Sequence, residues 1–338
     1  MRPTVALISA VLVAGAALLT ASGPAGADGN GGPGGQAPPT TNGSTLGIQV
    51  TVHLTGDVKA GVGDGGTVGV PPACWWQAFK SAEDFLAFWD EDATVNHDHS
   101  YAFWGMPSRA DVEKSIQQEK DTGKPITWYG FTCRSDVSYD DMLKLNTNPN
   151  QGFFAVPALF RPIAQGDPVP PAAITVEDLR DVAQKYMRLL EPTVARAPAA
   201  GRPAVVQLPT WYWVTPDDVK TKLVRAEADG IWAEVRADSL AVEFASPAAA
   251  PSSVDCADAA ALVQWQQGMA EDASSCRLTF PQTTGAAGHY TVTATNTWFA
   301  DWHSVENPAF QPVPVQPAPQ VATTQLQVAE TQVVGGGH

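Results

Sequence analysis

The clearest hydrophobic pattern in the chain is an alternation near its C-terminal end, within Gly288–His303. Tyr290 and every second residue after it form a largely apolar set, and the residues between them are threonines as far as Thr297. This alternation predicts a β-strand with one face on a core. The same region holds further segments of strand character, so the pattern predicts an all-β sandwich of two sheets. Those segments are Val205–Val214, Gly230–Val235, Leu240–Phe244, Cys276–Phe280 and Thr323–Val334.

The first half of the chain mixes strand and helix patterns and predicts an α+β domain. Gly47–Leu54 and Thr127–Arg134 have strand character. Three segments begin with Ser or Thr followed three residues later by Asp, which is a capping pattern for a helix N-terminus. The helices predicted from these caps run from Ser81 to about Trp89, from Ser108 to about Lys120, and over Val176–Leu190.

Composition divides the chain into successive segments. Arg2, an apolar run and the small residues Ala25–Ala27 predict a signal peptide over residues 1–27, with an uncleaved anchor as the alternative. A Gly/Pro-rich stretch over residues 28–44 predicts a flexible leader. The α+β domain is expected over 45–194 and the sandwich over 204–338, joined by an Ala/Pro/Gly-rich linker at 195–203.

Four cysteines fit an exported chain with two disulfide bonds. They are Cys74, Cys133, Cys256 and Cys276. Three pairings are possible, and the neighbouring pairs Cys74–Cys133 and Cys256–Cys276 are favoured because each falls inside one predicted domain. A four-cysteine metal site is the alternative, but no C-x-x-C spacing occurs.

Charge limits the choice of partner. The formal net charge is −15, and an acidic surface repels phosphate backbones and anionic lipid. The sequence therefore predicts no nucleic-acid partner, and because no second long apolar run follows the signal peptide, it predicts no membrane span in the mature chain. It favours a secreted, extracellular or envelope-associated protein, with a cell-wall polymer or an envelope protein as the partner.

The residues from Cys276 onwards resemble the end of a PKD (polycystic-kidney-disease) domain, an immunoglobulin-like sandwich. The resemblance rests on Phe280 in a strand, followed by Gly288, Tyr290 and Val292 in a G-x-Y-x-V strand. The W-x-F-G-D-G turn of that family is missing. With the P-P-x-C-W and L-P-T-W-x-W-V segments, the chain is similar to a family of uncharacterised secreted actinobacterial proteins. This resemblance implies export and a PKD-like C-terminal domain, and it transfers no catalytic residue.

Tryptophan pairs are the first candidate binding feature. They could form a platform for sugars or a protein interface, and the alternative is core packing. The residues concerned are Trp75, Trp76, Trp211, Trp213, Trp298 and Trp302.

A histidine pair is the candidate metal site. His97 and His99 would point the same way on a strand and could bind Zn²⁺, or they could belong to a solvated turn. The G-x-G-x-x-G at Gly61, Gly63 and Gly66 is interpreted as a turn, because the prolines that follow preclude the helix a dinucleotide site needs.

The leading hypothesis is a non-enzymatic secreted or envelope-associated binding or assembly protein that uses no cofactor. No catalytic residue is assigned, since no nucleophile motif such as G-x-S-x-G occurs. The alternative is a secreted hydrolase. It would be metal-assisted through His97 and His99, or would use a carboxylate pair that no spacing singles out.

Overall fold

The computed structural model describes residues 40–41, 44–45, 47–55, 66–95, 106–146, 159–270 and 272–330. These residues form a mostly β structure of antiparallel sheets, with β9 and β18 as a parallel pair. The strands are, in chain order, β1 (Thr40–Thr41), β2 (Ser44–Thr45), β3 (Ile48–Thr55), β4 (Gly66–Val70), β5 (Cys74–Ser81), β6 (Ile126–Cys133), β7 (Phe160–Ala164), β8 (Ala195–Ala197), β9 (Ala204–Val205), β10 (Pro209–Trp213), β11 (Lys222–Ala228), β12 (Ile231–Ala245), β13 (Ser253–Cys256), β14 (Arg277–Thr279), β15 (Tyr290–Ser304), β16 (Gln311–Pro312), β17 (Gln320–Leu326) and β18 (Val328–Ala329). The helices are α1 (Ala82–Val95), α2 (Arg109–Thr122), α3 (Tyr139–Leu145), α4 (Val176–Tyr186), α5 (Pro216–Val219) and α6 (Asp258–Ala261).

A large central sheet organises the molecule. Its strand order is β16-β15-β12-β11-β3-β4, and β13 and β17 pair with β12 and β15. The 15-residue strands β12 and β15 pair with each other from Ala233 to Ala245, with a register shift between Ser239 and Ala241. One half of this long ribbon is flanked by β11 and β16, and the other half by β13 and β17.

Helix α4 covers one face of the first half of the central sheet. Thr175 caps the helix by accepting a hydrogen bond from the Asp178 amide, while the Asp178 carboxylate accepts one from the Thr175 amide. Val176, Leu179 and Ala183 form a buried stripe. This stripe packs on alternate residues of β3, β11, β12 and β15, and we call the result the helix core.

A three-stranded sheet, β8-β10-β14, packs on the second half of the ribbon. Tyr212 of β10 stacks on Phe244 of β12 with ring centroids 5.4 Å apart. The disulfide between Cys256, at the end of β13, and Cys276, just before β14, connects the two sheets. We call this hydrophobic cluster the two-sheet core.

A third unit lies in sequence between β4 and α4. Its sheet has the strand order β5-β6-β7. The Cys74–Cys133 disulfide links β5 to β6 at two residues that lie directly opposite each other. Phe85 of α1 stacks on Trp128 of β6 at 4.8 Å between centroids. These residues form hydrophobic clusters separate from the two cores described above.

Several sequence predictions are confirmed. Both disulfides pair the cysteines as predicted. The β-rich character is also confirmed, as are the capped starts of α2 and α4. The helix predicted over Val176–Leu190 ends at Tyr186. The Ala-rich segment Ala257–Gln267 contains the short helix α6 over Asp258–Ala261.

Part of the predicted linker at 195–203 forms a strand. Ala195–Ala197 is strand β8, which pairs with β10, and β3 pairs directly with β11 across the expected boundary. Ala/Pro/Gly composition is typical of linkers, but it does not reveal backbone hydrogen bonds to a distant strand. The helix core is therefore built from residues on both sides of 195–203.

The predicted signal peptide (1–27), and the leader (28–44) apart from 40–41 and 44, lie outside the described residues. None of the described helices has the length and apolar character needed to cross a membrane.

Candidate binding face

Four of the six tryptophans proposed as a platform are core residues. Trp75, Trp211, Trp298 and Trp302 are buried, with at most 5 % of their surface exposed. Trp298 and Trp302 belong to the helix core, and Arg180 of α4 lies 5.0 Å from the Trp302 ring centroid. These four rings therefore do not lie on a solvent-exposed surface. Alternation places two residues on one face of a strand, but it does not say whether that face meets solvent.

The two remaining tryptophans of that set are half-buried. Trp76 packs on Phe131 at 5.1 Å, and Arg161 lies 5.5 Å from its ring centroid. Trp213 ends strand β10. They lie in different sheets, one in β5 and the other in β10.

The proposed metal ligands His97 and His99 lie outside the described residues. Within the ranges that the structure describes, no group of three or more His, Cys, Asp or Glu side chains could hold a metal ion.

The face of the central sheet opposite α4 carries a cluster of polar and aromatic side chains. We call it the outer sheet face. Apart from Asp301, which is buried, its residues are exposed or half-buried. It is built from His53, Arg225, Glu227, Trp232, Glu234, Arg236, Asp238, Asp301, His303 and Phe310.

Strand register explains how these residues meet. His53 lies opposite Arg225, Arg225 opposite Glu234, and Glu234 opposite His303, so one row crosses four strands. Residues that are directly opposite in antiparallel strands point to the same face, and their side chains touch.

Aromatic and guanidinium groups form a continuous ladder on this face. The Arg225 guanidinium carbon lies 4.3 Å from the Trp232 ring centroid. Trp232 contacts His303 edge-on at 5.1 Å, and His303 stacks on Phe310 at 4.1 Å. Arg236 closes the ladder with its guanidinium carbon 4.3 Å from the Phe310 centroid. In cation–π contacts of this kind the guanidinium is attracted to the face of the ring.

Arg236 is held in place by two carboxylates. Its Nε and Nη2 donate to the Asp301 oxygens at 3.1 and 2.6 Å. Nε also lies 3.2 Å from the Asp238 carboxylate. The hydrogen bond to Asp301 raises the pKa of Arg236. A two-pronged contact fixes the guanidinium plane as well as its position.

Two histidines of the outer sheet face each contact a glutamate. His303 Nε2 lies 3.1 Å from the Glu234 Oε1 atom. His53 Nε2 lies 3.3 Å from Glu227, which also contacts Arg225 at 3.3 Å. The face thus offers fixed hydrogen-bond donors and acceptors side by side, between aromatic rings.

Sequence reasoning missed this face, although part of its signal is visible. From Trp232 to Asp238, polar or aromatic residues alternate with Ala233, Val235 and Ala237. That pattern predicts a strand with one charged face. Nothing in it shows that His303 and Phe310 lie beside Trp232.

The chain matches no protein-family model, and neither a curated protein nor a solved structure matches it.

Proposed function

We propose that this protein is a secreted, envelope-associated binding protein without enzymatic activity, and that its outer sheet face binds a neutral polysaccharide of the cell wall. The observation that carries the proposal is the ladder from Arg225 through Trp232, His303 and Phe310 to Arg236. It combines flat apolar rings with charged groups whose geometry is already fixed.

The chemistry of this face suits a sugar chain. The C–H faces of a sugar ring pack on aromatic rings, and its hydroxyl groups both donate and accept hydrogen bonds. Guanidinium groups donate to hydroxyl oxygens, while carboxylates accept from hydroxyl groups. Preorganised side chains lose less conformational entropy when a ligand binds.

Charge argues against an anionic ligand. Arg225 and Arg236 are the cationic groups of the face apart from its histidines, and each already contacts a carboxylate. Glu227, Glu234 and Asp238 add negative charge. A phosphate-rich polymer would meet no excess of positive charge here.

Three observations support an immunoglobulin-like or PKD-like C-terminal sandwich within the proposal. The Tyr290 hydroxyl donates to the Thr283 carbonyl at 2.8 Å, across the turn before β15. A tyrosine at a strand start that bonds a backbone carbonyl a few residues upstream is a feature of such sandwiches. The Cys256–Cys276 bridge between two sheets and the G-x-Y-x-V segment add to this.

Export is supported by the disulfides, which form and persist in oxidising compartments. The Cys74–Cys133 bond stabilises the unit that precedes α4, and the Cys256–Cys276 bond stabilises the two-sheet core. Together with the predicted signal peptide at 1–27, they favour a location outside the cytoplasm.

Retention on purified, insoluble cell-wall polysaccharide tests the proposal. The oxidised chain should sediment with the polymer, and the double variant Trp232→Ala/Phe310→Ala should lose about tenfold or more in affinity. Trp265→Ala is the matched control, because Trp265 is 43 % exposed and lies outside the outer sheet face. Equal retention of the double variant and the wild type would overturn the assignment to this face. Failure of the wild type to bind would overturn the proposal that a cell-wall polysaccharide is the ligand.

A further inference from the structure

A second surface lies at the edge of the central sheet, away from the aromatic ladder. A cavity of about 140 Å³ opens beside β4 on the face that carries α4. Val52, Leu54 and Val68 form apolar walls, and Tyr186 and Arg188 close the side next to the end of α4. The cavity has room for one aliphatic side chain.

Strand β4 is the last strand in the sheet order. Its inner edge pairs with β3, from Val70 opposite Ile48 to Gly66 opposite Val52. Among the described residues, no strand pairs with its outer edge. Such an edge presents a row of backbone N–H and C=O groups that an extended peptide can complete.

Arg188 supplies a charge at the same place. It is exposed, and it makes no ion pair within the part of the chain that the structure describes. Arg134, Arg180 and Arg236, by contrast, each contact an aspartate. A guanidinium that pairs with no described carboxylate, beside an apolar cavity, favours a ligand that carries both a carboxylate and an aliphatic group.

We propose that the outer edge of β4 binds the C-terminus of a partner polypeptide as an added antiparallel or parallel strand. The last side chain of the partner, an aliphatic one, enters the cavity walled by Val52, Leu54 and Val68. Its terminal carboxylate binds Arg188. A C-terminal residue fits because it carries the side chain and the carboxylate on one Cα, and both binding elements line the same cavity. This inference is independent of the outer sheet face.

Fluorescence anisotropy with a labelled peptide tests the proposal. The probe is fluorescein-Gly-Thr-Ser-Thr-Ser-Val with a free C-terminus. The control peptide has the same sequence and a C-terminal amide. The free acid should bind the oxidised chain, and amidation should weaken binding by about tenfold or more. Arg188→Gln should weaken binding of the free acid by the same factor but leave binding of the amide unchanged. Amidation and Arg188→Gln each remove the same contact, the one between the terminal carboxylate and the guanidinium.

Matched variants separate this site from general charge effects. Lys185→Gln removes a neighbouring exposed cation that does not line the cavity, and it should leave both affinities unchanged. Val68→Trp should fill the cavity and abolish binding, while a urea midpoint close to that of the wild type shows that the variant is folded. N-methylation at alternate peptide amides should abolish binding in one register only, as strand pairing requires.

Several results would overturn the proposal. The first is that the free acid does not bind. The second is that the free acid and the amide bind with equal affinity. The third is that Arg188→Gln weakens binding of the amide as much as it weakens binding of the free acid. A dimer in light scattering that the peptide does not dissociate would assign the edge to a second copy of the chain instead.

Discussion

Two tyrosines of the two-sheet core should respond in opposite directions when their hydroxyl groups are removed. Tyr212 is fully buried, and its hydroxyl has no hydrogen-bond partner among the described residues. Its ring stacks on Phe244, so phenylalanine preserves the packing. The Tyr290 hydroxyl donates to the Thr283 carbonyl at 2.8 Å, and its ring stacks on Phe280. The two variants thus differ in whether a hydrogen bond is lost.

The expected magnitudes follow from the energetics of buried hydroxyl groups. An unpaired buried polar group destabilises by about 1–3 kcal/mol, so Tyr212→Phe should raise the free energy of unfolding by about 1 kcal/mol. A typical hydrogen bond contributes about 1 kcal/mol, so Tyr290→Phe should lower it by that amount. Urea denaturation of the oxidised chain measures both, and a constant slope shows that the compactness of the folded and unfolded states is unchanged.

Alkaline pH offers a second readout on the same residue. Burial raises the pKa of Tyr212 above its ordinary value of 10.0, and the charge of Arg196 opposes the shift. The stability that the neutral phenol contributes is complete below pH 10.0 and is lost as pH rises through the folded-state pKa. The advantage of Tyr212→Phe over the wild type should therefore grow in alkaline solution. If Tyr212→Phe destabilises as much as Tyr290→Phe does, a buried water satisfies the hydroxyl and the reasoning is wrong.

Three further changes test individual contacts. Arg134→Gln removes the 2.6 Å contact with Asp178, which joins the β5-β6-β7 unit to the N-terminus of α4, and should lower the free energy of unfolding in urea by about 2 kcal/mol. Replacing Cys256 and Cys276 by alanine removes a bridge between residues 20 apart and should lower it by about 3 kcal/mol. Burial raises the pKa of Asp258 above 3.8, against the hydrogen bond from Ser239 that lowers it. The stability that its neutral form contributes is present below that pH and lost as pH rises. Asp258→Asn should therefore have a higher urea midpoint than the wild type at neutral pH, but not below pH 3.8.

Each of these expectations has a clear contrary result. An unchanged urea midpoint for Arg134→Gln would show that water replaces the contact. A double-alanine variant as stable as the oxidised wild type would mean that the bridge does not constrain the unfolded chain. If the urea midpoints of Asp258→Asn and the wild type differ by the same amount at every acidic pH, titration of Asp258 is not the cause of the difference.

Helix starts and strand faces were predictable because caps and alternation are encoded by neighbouring residues. The cap formed by Thr175 and Asp178 defined the start of α4, and alternation from Tyr290 onwards predicted β15. Pairing between β3 and β11 was not predictable, because alternation shows which residues share a face and not which strand lies alongside. For the same reason, the composition of 195–203 did not show that Ala195–Ala197 pairs with β10.

The candidate binding face shows the same limit. Charged residues alternate with small apolar ones between Trp232 and Asp238, which predicts a charged strand face. The ladder also needs His303, which the register of β12 with β15 places beside Glu234, and Phe310, which follows β15 and stacks on His303. Tryptophan pairing in the sequence pointed instead to Trp298 and Trp302, whose side chains face α4.

The long ribbon of β12 and β15 couples the two cores and should make them unfold together. Val235 and Trp302 lie in the helix core, whereas Phe244 and Val292 lie in the two-sheet core, yet each strand contributes to both. A fragment covering 204–338 lacks β3, which pairs with β11, and α4, which packs on β11 and β12, so it should show no cooperative unfolding transition. In the whole chain, hydrogen exchange along β12 and β15 should report one common free energy of opening on both sides of the register shift. A fragment that unfolds cooperatively by itself would show that the two-sheet core is an independent domain after all.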